Sequence, residues 1–155
     1  MGESSWGEFA AAEPTMAARG RQLLYQRGDG EGFLVTVAGD GLPRVHPVNV
    51  GVFGDRLLVF VQNRSAKVKD LEADGRYALH AHQDPAEPDE FLVRGRARLV
   101  EDPAARTAAA SNWFFSVSDD YPLYELQIEH AILGERGVDE WPPRYRSWRS
   151  AQVRP

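Results

Sequence analysis

The 155-residue sequence contains no cysteine. That absence removes disulfides, thiolate nucleophiles, iron–sulfur clusters and cysteine-type zinc sites together, and it fits a reducing, cytoplasmic setting. Long apolar runs are missing too. Stretches such as Leu57-Leu58-Val59-Phe60-Val61 are of strand length, far below the ~20 residues that span a bilayer. The start, Met1-Gly2-Glu3-Ser4-Ser5-Trp6, lacks the basic-then-apolar order of a secretory signal. These features read as a protein that does not enter the membrane. Positive charge is outnumbered, with 18 Lys plus Arg against 23 Asp plus Glu and a net charge of −5. Such a balance disfavours a dedicated nucleic-acid binder but leaves room for a local basic pocket. No Gly-x-Ser-x-Gly elbow, phosphate-binding Walker loop, dinucleotide-type glycine fingerprint or His-Glu-x-x-His occurs, so hydrolase, nucleoside-triphosphatase and metalloprotease readings lose their usual support.

What is present is ordinary globular composition, 43% hydrophobic and 26% charged, in one domain's length of chain. Residues 1–13 are small, polar and acidic, with lone aromatics Trp6 and Phe9, and read as a loosely held, flexible arm. Residues 14–150 read as a single domain. Pro14 suits a first helical position, and apolar spacing predicts a helix over about 14–27, ended by Gly28. Phe33–Val37 is β-branched and aromatic, hence a strand. Gly39-Asp40-Gly41 turns it into a second strand, Arg44–Phe53, and Gly54-Asp55 turns that into a third, Arg56–Gln62. The three read as a meander. Pro47 cannot donate to a ladder, so its strand needs an unpaired side or a bulge.

Ser65 is placed as an N-cap for a short helix, Ala66–Ala73. Tyr77–His82 is a fourth strand. Phe91–Val100 alternates, with Phe91, Val93, Gly95, Ala97 and Leu99 on one face and Arg94, Arg96 and Arg98 on the other. Asp102-Pro103 opens a helix running to about Phe115. Leu123–Leu133 alternates again, with Tyr124, Leu126, Ile128 and Ile132 inward. Residues 134–143 read as a loop, and Pro143–Arg149 as a basic-aromatic tail, about one helical turn. The pattern is mainly β: a small antiparallel barrel with peripheral helices.

Five constellations are able to carry chemistry. Gln62-Asn63-Arg64-Ser65-Ala66-Lys67 stands where a strand opens into a helix. A helix N-terminus with guanidinium, hydroxyl and ammonium donors suits a phosphate, though the same pattern serves a plain N-cap with a solvated lysine face. Arg44-Val45-His46-Pro47-Val48-Asn49 is a proline-interrupted strand whose free backbone groups suit the polar edge of a flat heterocycle, or simply an edge protected from aggregation. His80-Ala81-His82 places two imidazoles alike on a strand. No carboxylate has ligand-like spacing beside them, so no metal site is assigned. The three arginines 94, 96 and 98 form either an anion-facing row or a solvated outer face. The tail aromatics Trp141, Tyr145 and Trp148 can stack on a ring system, bury into a second subunit, or cap the barrel.

The order and spacing of Phe33–Val37, Asp40–Val48, Leu57–Val61, Ser65–Leu71, Arg76–His80 and Phe91–Ala97 resemble the pyridoxamine 5′-phosphate oxidase-like family over roughly residues 20–135. The resemblance implies a six-stranded, FMN-binding split barrel that forms a homodimer, with FMN or a deazaflavin in each of two interface grooves. It implies phosphate contacts at Lys67 with Ser65 and Arg64. Val45, His46, Pro47, Val48 and Asn49 then run beside the flavin ring, with Val61 and Gln62 at the following strand end and Trp148 stacking from the tail. The implied activity is hydride transfer between the flavin and a small organic substrate. Ala66 stands where true pyridoxamine phosphate oxidases carry arginine, and the tail only loosely suggests their arginine-rich segment. The tail aromatics and His46-Pro47 look more like flavin and deazaflavin reductase relatives. A non-catalytic flavin or haem carrier, with His46, His80 or His82 near the ligand, is the alternative on the same scaffold.

Overall fold

A computed structural model describes residues 2–151. Among these residues eight strands form one antiparallel sheet, with four helices around it. Helix α1 is Trp6–Ala12 and α2 is Pro14–Leu24; β1 is Glu31–Val37 and β2 is Pro43–Asn49; β3 is Gly51–Phe53 and β4 is Arg56–Phe60. Helix α3, Ala66–Ala73, leads into β5, Arg76–Ala81, and β6, Glu90–Leu99. Helix α4, Pro103–Ser111, precedes β7, Leu123–Glu135, and β8, Arg144–Arg149.

The sheet runs β2-β1-β5-β6-β7-β4-β3, with β8 added to β7. Its two terminal strands, β2 and β3, are neighbours in sequence, separated by Val50 alone. The expected second strand, 44–53, is therefore one bent strand that leaves one edge of the sheet and joins the other. This bend curls the sheet into a half-closed barrel. It also replaces the expected meander: β1 pairs with β2 and β5, whereas β4 pairs with β3 and β7. Strand β2 has only β1 beside it, which supplies the unpaired side that Pro47 requires.

The N-terminal segment is not a loose arm. Ser5 caps α1 by accepting from the Glu8 amide at 3.1 Å, while the Glu8 carboxylate accepts from the Ser5 amide at 3.1 Å. This reciprocal box starts the helix. Trp6 and Phe9 then bury into the core, Phe9 stacking on Phe91 with ring centres 6.3 Å apart. Two aromatics spaced by three residues share one helix face, which is why a short polar segment docks. Gly20 of α2 lies so close to the Phe91 ring that a β-carbon there would sit 2.4 Å from it.

Strands β6 and β7 pair along nearly their whole length, with one bulge. Arg94 faces His130 but Gly95 faces Ile128, so Glu129 is the extra residue. A β-carbon on Gly95 would sit 2.0 Å from the Gln127 carbonyl, so the close approach needs glycine. The bulge shifts the alternation by one residue. Beyond it Ala131 and Leu133 are fully buried, and the expected inward Ile132 is not. Leu99, also expected inward, is 51% exposed at the strand end. The basic-aromatic tail is a strand rather than a helical turn, because β7 extends past its residues paired with β4, Leu123–Glu125, and leaves an edge at His130–Glu135 that residues 144–149 fill.

Candidate functional site

Strand β2, the end of β4 and the segment after α4 enclose a groove of about 380 Å³. Pro47, Val48, Asn49 and Gln62 line it, so four of the residues expected beside a cofactor come together. The volume falls within the ~300–1,000 Å³ of small-molecule sites. The groove also takes in His82, expected near a ligand only in the carrier alternative, and Glu31, Phe60, Phe115 and Tyr121, which the sequence did not point to. His82 carries a signal in the His80-Ala81-His82 pair, but β5 ends at Ala81 and the two rings part. His80 Nδ1 lies 2.6 Å from the Ala81 carbonyl, while His82 packs on Phe33 at 4.4 Å. Phe115 and Tyr121 have no local signal, since the loop that delivers them is positioned by long-range contacts. Arg106 donates to the carbonyls of Ser118, Asp119 and Tyr121, tying that loop to α4.

Four residues beyond Gln62 the chain enters α3. Arg64 adopts a left-handed backbone, φ 63°, which a β-carbon disfavours. Ser65 holds the N-cap position, yet its side chain makes no cap hydrogen bond, and its Oγ is buried with no partner. Strain and a buried unsatisfied hydroxyl occur together at the helix end where amide N–H groups are free. Lys67 stands in the first turn of the same helix, half-buried.

Behind α3 lies a polar network absent from the sequence reading. Asp70 is 4% exposed and accepts from Thr36 Oγ1 at 2.7 Å and from Arg44 Nε at 3.0 Å. His46 Nε2 lies 3.2 Å from Thr36 Oγ1. Thr36 spends its one hydroxyl proton on Asp70, so toward His46 it accepts, and the imidazole carries its proton on Nε2. Burial pushes His46 below its ordinary value of 6.5, with Lys67 and Arg44 adding to the effect and Asp70 opposing it. The imidazole is therefore neutral at pH 7. Asp70 is buried with Val68 and Leu71, but i,i+2 spacing sets it off the Val68 face, so helical periodicity alone does not reveal it.

Other expected site residues lie elsewhere. Val45 is 64% exposed on the outer face of β2. Val61 is wholly buried in the core, its amide donating to the Pro122 carbonyl at 3.0 Å, so its side chain does not line the groove. Trp148 packs on Phe9, with ring centres 5.2 Å apart, under α1 rather than among the groove residues. Its pairing with Ala131 turns it inward.

Residues 28–133 match the family model for pyridoxamine 5′-phosphate oxidase. The chain belongs to this family. Comparison with curated proteins gives no match. Among solved structures, a haem-binding protein from Mycobacterium smegmatis superposes with a TM-score of 0.67 at 20% identity, covering 90% of this chain. The match spans 60% of that protein's length. HutZ, the haem storage protein from Vibrio cholerae, gives 0.62 at 17% identity, covering 83% of this chain and 98% of that one. PhzG from Burkholderia lata 383, solved with tetrahydrophenazine-1-carboxylic acid, gives 0.60 at 12% identity, covering 88% and 92%. At these identities the likeness establishes the fold. The pyridoxamine 5′-phosphate oxidase family signature thus covers β1 through most of β7, and α1 and β8 flank it. Among the described residues no helix is long and apolar enough to cross a membrane.

Proposed function

We propose that the chain is an FMN-binding oxidoreductase that transfers hydride between its flavin and a small organic substrate, working as a homodimer. The observation that carries this reading is the partnerless, buried Ser65 Oγ at the cap of α3, three residues from the groove. A terminal phosphate fits this donor set. Lys67 supplies charge, Ser65 its hydroxyl, and the first amides of α3 their free N–H groups. In this reading Pro47, Val48 and Asn49 back the ring, and Phe60, Phe115 and Tyr121 exclude water. A flavin held there would supply the hydride chemistry, and the protein would contribute position and electrostatics. A homodimer is supported by the outer face of the sheet. There Val45, Phe33, Val35, Val37 and Ala78 share one side by register, and Val45 and Phe33 are 64% and 37% exposed.

Titration of the purified protein with FMN, followed by flavin fluorescence, tests the reading. Binding is expected, and Lys67→Ala is expected to weaken it about tenfold while leaving riboflavin binding nearly unchanged. A protein that neither carries nor takes up FMN overturns it; a deazaflavin run in parallel decides between the two ring systems. One observation favours a second reading, haem binding: the His82 imidazole faces the groove. A Soret band on haem addition that His82→Ala abolishes, with FMN unbound, replaces the first reading with this one.

A further inference from the structure

Away from the groove, a row of cationic and titratable groups continues the Val45–Val35–Ala78 row across the outer face of the sheet, Arg94 lying opposite Ala78 at the border of the proposed dimer face. Arg94 of β6 lies opposite His130 of β7, and Arg149 of β8 lies opposite His130 on the other side. Residues directly opposite in antiparallel strands share a face, so the two guanidinium groups flank one imidazole. The bulge at Glu129 creates this arrangement. Continued alternation from Ile128 would have turned His130 into the core.

His130 is only 8% exposed, and its Nδ1 is buried without a hydrogen-bond partner. Burial first, then Arg149 and Arg94, push it below its ordinary 6.5. Both arginines are exposed, and neither is paired with a carboxylate among the described residues. Several other surface arginines, Arg19, Arg44, Arg76, Arg98 and Arg146, each meet an Asp or Glu. The adjacent acid, Glu129, faces Arg96 at 3.9 Å. Unpaired guanidiniums on either side of one imidazole concentrate positive charge, and a buried imidazole nitrogen without a partner costs free energy. One oxyanion seated on the row relieves both, taking charge-assisted bonds from the guanidiniums and a proton-bearing nitrogen from His130.

We propose that Arg94, His130 and Arg149 form a binding site for a small oxyanion, a phosphate or a carboxylate, separate from the groove. Binding there draws a proton onto His130, which raises affinity as the pH falls through the His130 range.

The test follows the His130 ring proton by NMR during titration with inorganic phosphate and, separately, citrate. Either ligand is expected to shift the His130 signal and to move its titration upward, and the one acting at lower concentration identifies the preferred oxyanion. Arg94→Ala/Arg149→Ala, which alters exposed side chains only, is expected to weaken binding by about tenfold or more. His130→Gln, followed by calorimetry, is expected to retain binding and to keep only the pH dependence of the ligand's own ionisation. Lys67→Ala is expected to change nothing here, which keeps this site distinct from any phosphate held at α3. A His130 signal indifferent to both ligands, or one that shifts equally in the double variant, overturns the proposal. So does a double variant that falls from dimer to monomer while phosphate leaves His130 unmoved, since the row is then an interface between copies.

Discussion

Two helices meet the barrel wall in opposite ways. Under α1 the contact is dry and aromatic: Trp6, Phe9, Phe91 and Trp148 pack ring against ring, and the helix start is fully capped. At α3 the contact is polar and incompletely satisfied. Thr36, Arg44, His46 and Asp70 share a hydrogen-bond network, Ser65 is unpartnered, and Arg64 is held at positive φ. The contrast teaches where stability and chemistry reside. Local rules are obeyed at the aromatic end, which holds the sheet curled. They are broken beside the groove, where a ligand is able to complete them.

The largest effect is expected at the aromatic end, where Phe9→Ala removes a fully buried ring and should cost about 3–5 kcal/mol in urea unfolding. A loss below about 1 kcal/mol would mean that residues 1–13 hang loosely after all. At the polar end, Asp70→Asn should cost less, about 1–3 kcal/mol, because Arg44 and Thr36 lose a charged acceptor. It should also lower the His46 titration further, since Asp70 is the group holding it up. An NMR titration in which His46 rises instead would remove Asp70 from the network.

Arg64→Gly should act in the other direction. Releasing the left-handed strain stabilises by up to ~1 kcal/mol, while loss of the guanidinium weakens FMN binding. Both changes are read from one variant, by denaturation and by fluorescence titration. Equal stability in the two proteins would show that the turn carries no strain. The smallest effect is a pH slope. His46 titrates lower in the folded state than unfolded, so the unfolded chain binds more protons near its ordinary value of 6.5. Stability is then full above about pH 6.5 and declines as the pH falls through the His46 range. His46→Gln should flatten that decline relative to the wild type, and an unchanged slope would assign it to other groups.

Much of the local structure is legible in sequence. The strands around Phe33–Val37 and Phe91–Ala97 announce themselves by alternation, and α4 by Asp102-Pro103. The docking of α1 is less visible, because its Ser5–Glu8 box is short and its two aromatics stand among alanines. Of the site, Pro47, Val48, Asn49 and Gln62 are legible because the proline marks an edge and Gln62 ends a strand. Phe115 and Tyr121 are not, since a loop tied down by Arg106 brings them across the fold. Trp148 misleads for a related reason: an aromatic in a basic tail suits a ring stack, but register with Ala131 turns it onto Phe9.

Periodicity and turn chemistry alone therefore determined most of the strands, where α2, α3 and α4 begin, and that Lys67 and Ser65 sit at a helix N-terminus, but neither α1 nor β8. These are properties of neighbours along the chain, governed by spacing and by backbone preferences. The tertiary structure decided the rest: that the strand from 44 to 53 bends at Val50 to join opposite edges of the sheet, that Glu129 bulges and sends His130 outward, and that Asp70 meets Thr36 and Arg44. Each depends on which strand or helix lies beside which, and such pairing is set by closing the barrel and burying its core rather than by local preference.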